Sequence, residues 1–293
     1  MKSVQHRTSY SKLGRDYMDS QKMELLKVKL EVTANIQNSS APEDVEKALK
    51  TVMRAGEMLL VSGAEVSRVE DTMRRILLNF KFSDAQAFVI PGMMILAVET
   101  GQQASKTVIK RVSGSSYHLG KVSLINSLSR ELASTEMTVD EFHNRLEDID
   151  KVPPYDTKLV IAAAGIGSFA FTYIINANIH ASFVALFVGM LVFAVTVFLR
   201  RNKVSKILVK MLAGLLSFVF AYVAIEFLSD QRFVLEMVVF GSIIPHLPGM
   251  ALVSSMRDVM GGDLVSGSIG LVDTLAMTGA LATGVFVGYS FLM

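Results

Sequence analysis

Apolar positions recur with a helical or strand period through the first half of the chain and merge into long uncharged runs in the second, the change falling at Pro153 and Pro154. Before it, Val52, Ala55, Leu59, Val66, Val69, Met73, Ile76 and Phe80 return every three or four residues, which predicts helix with one buried face. Met93 to Glu99 and Lys106 to Val112 are rich in apolar and β-branched residues. They flank the turn sequence Thr100-Gly101-Gln102-Gln103 and predict a β-hairpin. Val122, Ile125, Leu128 and Leu132 space a helix across Gly120 to Ala133, and Thr138 with Glu141 offers a capping box for a last helix ending near Ile149. Residues 41–152 therefore read as a compact α+β domain. Residues 1–40 read as a basic, mobile N-terminal extension with one amphipathic stretch, Met23 to Val32, suited to an anionic leaflet.

After the junction, residues 153–293 hold five stretches close to the roughly 20-residue length that crosses a hydrocarbon core. They cover 159–176, 181–199, 207–228, 233–256 and 264–291, which predicts a five-helix transmembrane bundle. The first carries Ala162, Ala163, Gly165 and Gly167, small residues that let helices approach closely in lipid. The third has Lys210 near one end, placed to snorkel, and Glu226 near the other. The fourth is interrupted by Pro245 and Pro248, and the fifth contains Asp273. Arg200, Arg201, Lys203, Lys206 and Lys210 cluster between the second and third spans, whereas the Asn176 to His180 turn has no Lys or Arg. By the positive-inside rule, the N-terminal domain and the basic loop lie in the cytoplasm of a multi-pass cell-membrane protein. The C-terminus then lies outside. An odd span count also suits a second five-span unit lying upside down against this one, the plan of inverted-repeat transporters.

Composition adds exclusions. The 51% of hydrophobic residues averages two unlike halves. A net charge of +2 is too small to suggest nucleic acid, and with no Cys there is no disulfide framework or thiolate nucleophile. The first forty residues show no apolar run before a small-residue cleavage site, so no cleavable signal peptide is expected. No spacing resembles a zinc site, a phosphate loop or a Ser/His/Asp arrangement, and His118 and His143 read as surface residues. Neither a metal, a cofactor nor enzymatic activity is expected.

The chemistry of the membrane half concentrates in the fourth span, where Pro245, His246, Leu247, Pro248 and Gly249 precede Arg257, Asp258 and Asp263. Two prolines remove two backbone donors and free carbonyls that something else must satisfy. A kink in a packing helix is one reading. A discontinuous helix holding a substrate or ion near the midplane is the other, and the polar residues that follow favour it. Asp273 is the leading intramembrane carboxylate, since an ionised group in hydrocarbon costs several kcal/mol and burial raises its proton affinity. Glu226 and Glu236 read as interfacial. Arg257 and Asp258 either pair with each other or leave Arg257 to meet a substrate carboxylate.

These residues carry a resemblance. Ile243-Ile244-Pro245-His246-Leu247-Pro248-Gly249-Met250-Ala251, Met256-Arg257-Asp258 and Gly262-Asp263-Leu264-Val265-Ser266-Gly267 resemble the bacterial threonine/serine exporter family. The run Ala55 to Met73, containing Glu57, Gly63, Glu65, Arg68, Glu70 and Asp71, resembles that family's N-terminal signature. The resemblance covers about residue 43 to the end. It implies a cytosolic domain followed by membrane spans, and export of threonine and serine driven by the proton gradient. It also implies an acidic residue near Asp273. Because some members are split in two, it implies the larger component of a split exporter, completed by a small five-span membrane partner or by a second copy. A related split pair exports succinate, so a dicarboxylate is the second substrate class. His246 departs from the pattern, which has an apolar residue between the prolines.

The cytosolic motif has its own two readings. Arg54, Glu57, Glu65, Arg68 and Arg75 fall opposite the apolar stripe, and Ser62 with Glu65 reads as a capping box restarting a helix at Gly63. Pairs on such a face are worth about 0.3–0.5 kcal/mol each, and a solvated helix face is the simplest account. Alternatively Arg68 attracts a substrate carboxylate while Glu57 or Glu65 meets an ammonium group. The rival function, a membrane-anchored enzyme or sensor, would place its site on this Glu57 to Asp71 stripe.

Overall fold

The computed structural model describes residues 42–82, 84–100, 104–114, 117–228 and 232–293. The extension read at 1–40 and the turn at 101–103 lie outside the described residues. The chain divides after Lys151 into two compact units.

The first unit contains α1 (Pro42–Val61), α2 (Val66–Asn79), β1 (Ala85–Ile90), β2 (Met93–Thr100), β3 (Ala104–Arg111), α3 (Leu119–Ser134) and α4 (Val139–Asp150). The apolar stripe read across α1 and α2 is the core face: Val52, Ala55, Leu59, Val69, Met73 and Ile76 are fully buried. Phe142 and Leu146 of α4 complete that core, with Phe142 edge-on to Phe80 at 5.8 Å between centroids. The predicted hairpin is β2–β3, paired with Ile95 opposite Ile109. A third antiparallel strand, β1, pairs on the other side of β2, so the sheet order is β1-β2-β3. Thr138 caps α4 by accepting the Glu141 amide at 3.2 Å.

The turn between α1 and α2 differs from the expected capping box. Gly63 ends α1 instead of restarting a helix: its φ is +86°, the Ala64 amide reaches back to the Leu59 carbonyl at 3.0 Å and the Gly63 amide to Leu60 at 3.2 Å. This is a left-handed helix stop, which glycine adopts without a Cβ penalty. The next helix starts at Val66 with Glu65 as its N-cap residue and no side-chain cap bond.

The second unit contains α5 (Thr157–Asn176), α6 (Ile179–Arg201), α7 (Lys206–Leu228), α8 (Arg232–Ile243), a 3₁₀ turn (Ile244–His246), α9 (Gly249–Met260) and α10 (Leu264–Leu292). Among the described residues four helices are long and apolar enough to cross a membrane, and a fifth results if α8 and α9, bent by 58° at their break, count as one span. Small residues set the packing. A Cβ on Gly241 of α8 would stand 1.8 Å from the Thr172 hydroxyl of α5, and one on Gly189 of α6 would stand 2.1 Å from the Ser168 hydroxyl. At these two contacts the buried hydroxyls turn back onto their own helix, Ser168 to Ala164 at 3.0 Å and Thr172 to Ser168 at 2.8 Å, so the close approach strands neither donor. Helix α10 packs along α7 through Gly284 and Gly288, and against α9 through Gly267 and Gly270.

Candidate functional site

The break in the second unit follows from its two prolines. Pro245 has no amide for the Gly241 carbonyl and Pro248 none for that of Ile244, so α8 ends at Ile243. The Leu247 amide takes the Ile244 carbonyl at 3.0 Å, closing a 3₁₀ turn, and α9 restarts after Pro248 with Leu252 bonded to the Pro248 carbonyl at 3.0 Å. In an unbroken helix the His246 carbonyl would accept the amide of Met250. Here the Lys210 ammonium, from α7, donates to it. Lys210 is half-buried and turned inward, where the sequence suggested snorkelling.

His246 is 1% exposed, and its ring stacks on Phe193 of α6 at 5.5 Å between centroids. Its Nε2 has no hydrogen-bond partner among the described residues. Three other buried polar atoms share that condition, Ser217 Oγ, Asp258 Oδ1 and Thr274 Oγ1, and all four lie in the second unit. A buried unpartnered polar group costs about 1–3 kcal/mol, so four in one apolar bundle require a reason.

Past the break, α9 ends as α1 does. Gly262 has φ +93°, and the Asp263 amide reaches the Asp258 carbonyl at 2.9 Å. Asp263 also caps α10, its carboxylate accepting the Ser266 amide at 3.1 Å. Asp258 is 7% exposed and Arg257 is exposed. The structure thus gathers Pro245, His246 and Pro248 at the break, and Asp258 with Asp263 at the α9–α10 turn. Asp273 stands apart. The buried stripe of α10 runs through Gly267, Thr274, Met277, Leu281, Gly284 and Gly288, and Asp273, one residue before Thr274, falls about 100° away on the exposed face.

In the first unit the motif residues separate. Glu57 accepts from Arg54 at 2.9 Å and from Lys110 at 2.8 Å; Arg54 also reaches Asp150 at 2.6 Å, which Lys121 meets at 3.1 Å. This network ties α1 to β3, α3 and α4. Burial opposes ionisation of Glu57, but the bonds from Lys110 and Arg54 prevail and hold its carboxyl below the usual range. Lys121 does the same for Asp150, against partial burial and with help from Arg54. Glu70 accepts the Val89 amide at 2.7 Å, joining α2 to β1. Arg68 and Asp71 stay exposed and Glu65 is half-buried. His118 caps α3 by accepting the Lys121 amide at 3.1 Å, and His143 lies 3.2 Å from the Thr51 hydroxyl.

Comparison with known proteins decides the family. Residues 50–292 match the family model ThrE, described as "Putative threonine/serine exporter". The chain belongs to this family. The ThrE match runs through both units and includes the break, the α9–α10 turn and the Glu57 to Asp71 stripe of the first unit. The chain is also similar to an uncharacterised protein of Schizosaccharomyces pombe, 22% identical over 256 residues. That similarity takes in 84% of this chain but 33% of the relative, so the chain spans about a third of the relative's length. No solved structure gives a significant match.

The sequence pointed to the prolines, His246 and Asp258 as candidates, and it did not point to the inward turn of Lys210 or to the buried hydroxyls of Ser217 and Thr274. One signal was available: Lys210 and Ser217 are seven residues apart, two turns along one face of α7.

Proposed function

We propose that this ThrE protein is a subunit of a proton-coupled secondary exporter of small polar metabolites, threonine and serine first. A dicarboxylate such as succinate is the second substrate class. The observation that carries this is a pair of unpartnered buried polar atoms at the two ends of the helix that follows the break, His246 Nε2 at the break and Asp258 Oδ1 at the following turn, inside a largely apolar bundle. Polar groups kept at such cost in a membrane unit suit a translocation path rather than an anchor. Transport then proceeds by moving the α8–α9 break against α6 and α7, with no covalent intermediate. The first unit lies in the cytoplasm, five spans cross the cell membrane and the C-terminus lies outside.

Asp273 supports a second membrane body. Its neighbours on the exposed face include Val272 and Leu275, each 67% exposed, and a carboxylate left among apolar side chains facing lipid is unfavourable. A five-span partner or a second copy of the chain covers that face in the working exporter.

The test is uptake of labelled serine, threonine and succinate into inverted membrane vesicles, with and without a pH gradient and with and without a candidate partner. Gradient-dependent uptake of one solute, lost in Asp258→Asn, is expected. Absence of uptake for all three, with both proteins inserted, would overturn the reading.

A further inference from the structure

We infer that Lys210 and His246 form a carboxylate-binding site at the helix break, and that this site, not Arg257, recognises the anionic end of the transported solute. The inference rests on the exporter reading and names the chemical group that its site selects.

Lys210 and His246 meet at the break. Lys210 makes no ion pair among the described residues; its ammonium has three donors, and the His246 carbonyl takes one. A half-buried ammonium without a counter-charge is costly unless an anion joins it. His246 Nε2 supplies the remaining contact, since it is buried and unpartnered on the same residue whose carbonyl holds Lys210. A neutral imidazole carries one proton, and a carboxylate selects the tautomer with that proton on Nε2. One carboxylate oxygen then takes Lys210 and the other His246. Arg257 is a weaker candidate, because it is exposed on α9 and Asp258 and Asp263 lie close by.

Binding would also act on the break. The ammonium that a carboxylate attracts is the one that satisfies the His246 carbonyl, so an arriving anion competes for the bond joining α7 to the break. That gives the solute a differential hold on two arrangements of the broken helix, which alternating access requires.

The experiment uses the full chain in nanodiscs with isotopically labelled histidine, the His246 ring signals being assigned with His246→Gln. Serine and succinate at millimolar concentration should each shift the Nε2 signal saturably. Serinamide, which keeps the ammonium and hydroxyl but lacks the carboxylate, should not. Lys210→Gln should weaken binding by about tenfold or more, as expected for loss of a charge-assisted hydrogen bond, with Lys210→Arg restoring much of it. Arg257→Gln should leave it within about twofold. Nanodiscs with and without phosphatidylglycerol separate a solute carboxylate from a lipid phosphate. A shift caused by the anionic lipid alone overturns the proposal, as does a His246 signal that no carboxylate moves or a shift that survives Lys210→Gln. Vesicle uptake distinguishes the two failures. Serine carried while His246 is unmoved removes this site and leaves the exporter, whereas His246 moved with no solute carried leaves the site and removes the exporter.

Discussion

Gly284 of α10 lies so close to Met211 of α7 that a Cβ on the glycine would stand 1.9 Å from the Met211 carbonyl oxygen. The relation is reciprocal, since a Cβ on Gly214 of α7 would stand 2.1 Å from the Leu281 carbonyl. Main-chain atoms cannot rotate away as a side chain can, so any larger residue must separate the two spans. Gly284→Val should therefore destabilise the purified chain by about 1–3 kcal/mol, at the upper end of overpacking costs. Gly279→Ala, where a Cβ meets nothing within 4 Å, should melt like the wild type. Equal melting of both variants in detergent would show that α7 and α10 are not packed in this way.

His246 should show the opposite balance. Its imidazole is buried with Nε2 unpartnered, so His246→Leu removes a polar atom that folding has to desolvate. The variant should be as stable as the wild type or more stable by about 1 kcal/mol, while vesicle uptake falls by at least about tenfold. Parallel melting and uptake measurements decide it. A large loss of stability would make His246 a packing residue whose hydrogen bond lies elsewhere.

These residues mark where the sequence stopped informing. Periodicity located the core face of α1 and α2, and the two prolines located the break, because both are local properties of the chain. The strand β1 went unread because Ala85–Ile90 is short and mixes small, polar and apolar residues; its place is fixed by pairing with β2 and by Glu70 accepting the Val89 amide. Lys210 was read as snorkelling because its carbonyl partner is supplied by tertiary packing, 36 residues away. Asp273 was legible as a charge within a span, but its exposed face depends on which side of α10 the glycines turn towards α7 and α9.

The ion network of the first unit predicts acid sensitivity. Glu57 and Asp150 are held below their usual carboxyl range, so the stability they lend is complete above the unfolded carboxylate values, about pH 4–5. It is lost as pH falls through their lower folded values. Arg54→Gln should cost about 1 kcal/mol at neutral pH, since Arg54 is partly exposed and solvent screens the pairs. The gap between wild type and variant should narrow on acidification. Amide exchange of α1 and α4 in the full chain, followed from neutral to acid pH, measures it. A gap that is constant or widens towards acid would show that the carboxylates are not stabilised by Arg54.

Asp273 and Asp258 should separate fold from assembly. Asp258 is buried near the end of α9 with Oδ1 unpartnered, so Asp258→Asn replaces a buried carboxyl group and should raise the melting temperature of the isolated chain. Asp273 lies on the exposed face of α10, so Asp273→Asn should leave that melting temperature within the effect of about 0.5 kcal/mol typical of surface substitutions. Both should abolish gradient-dependent uptake, but for Asp273 the loss acts through whatever covers its face. The chain has no cysteine, so Ala276→Cys, one turn along that exposed face, gives a single reactive thiol. Oxidation in membranes should trap it against a second copy or against a partner carrying one cysteine on its facing helix. An Ala276→Cys chain that stays monomeric against both, in membranes that still transport, would show that Asp273 faces lipid and acts from within this chain alone.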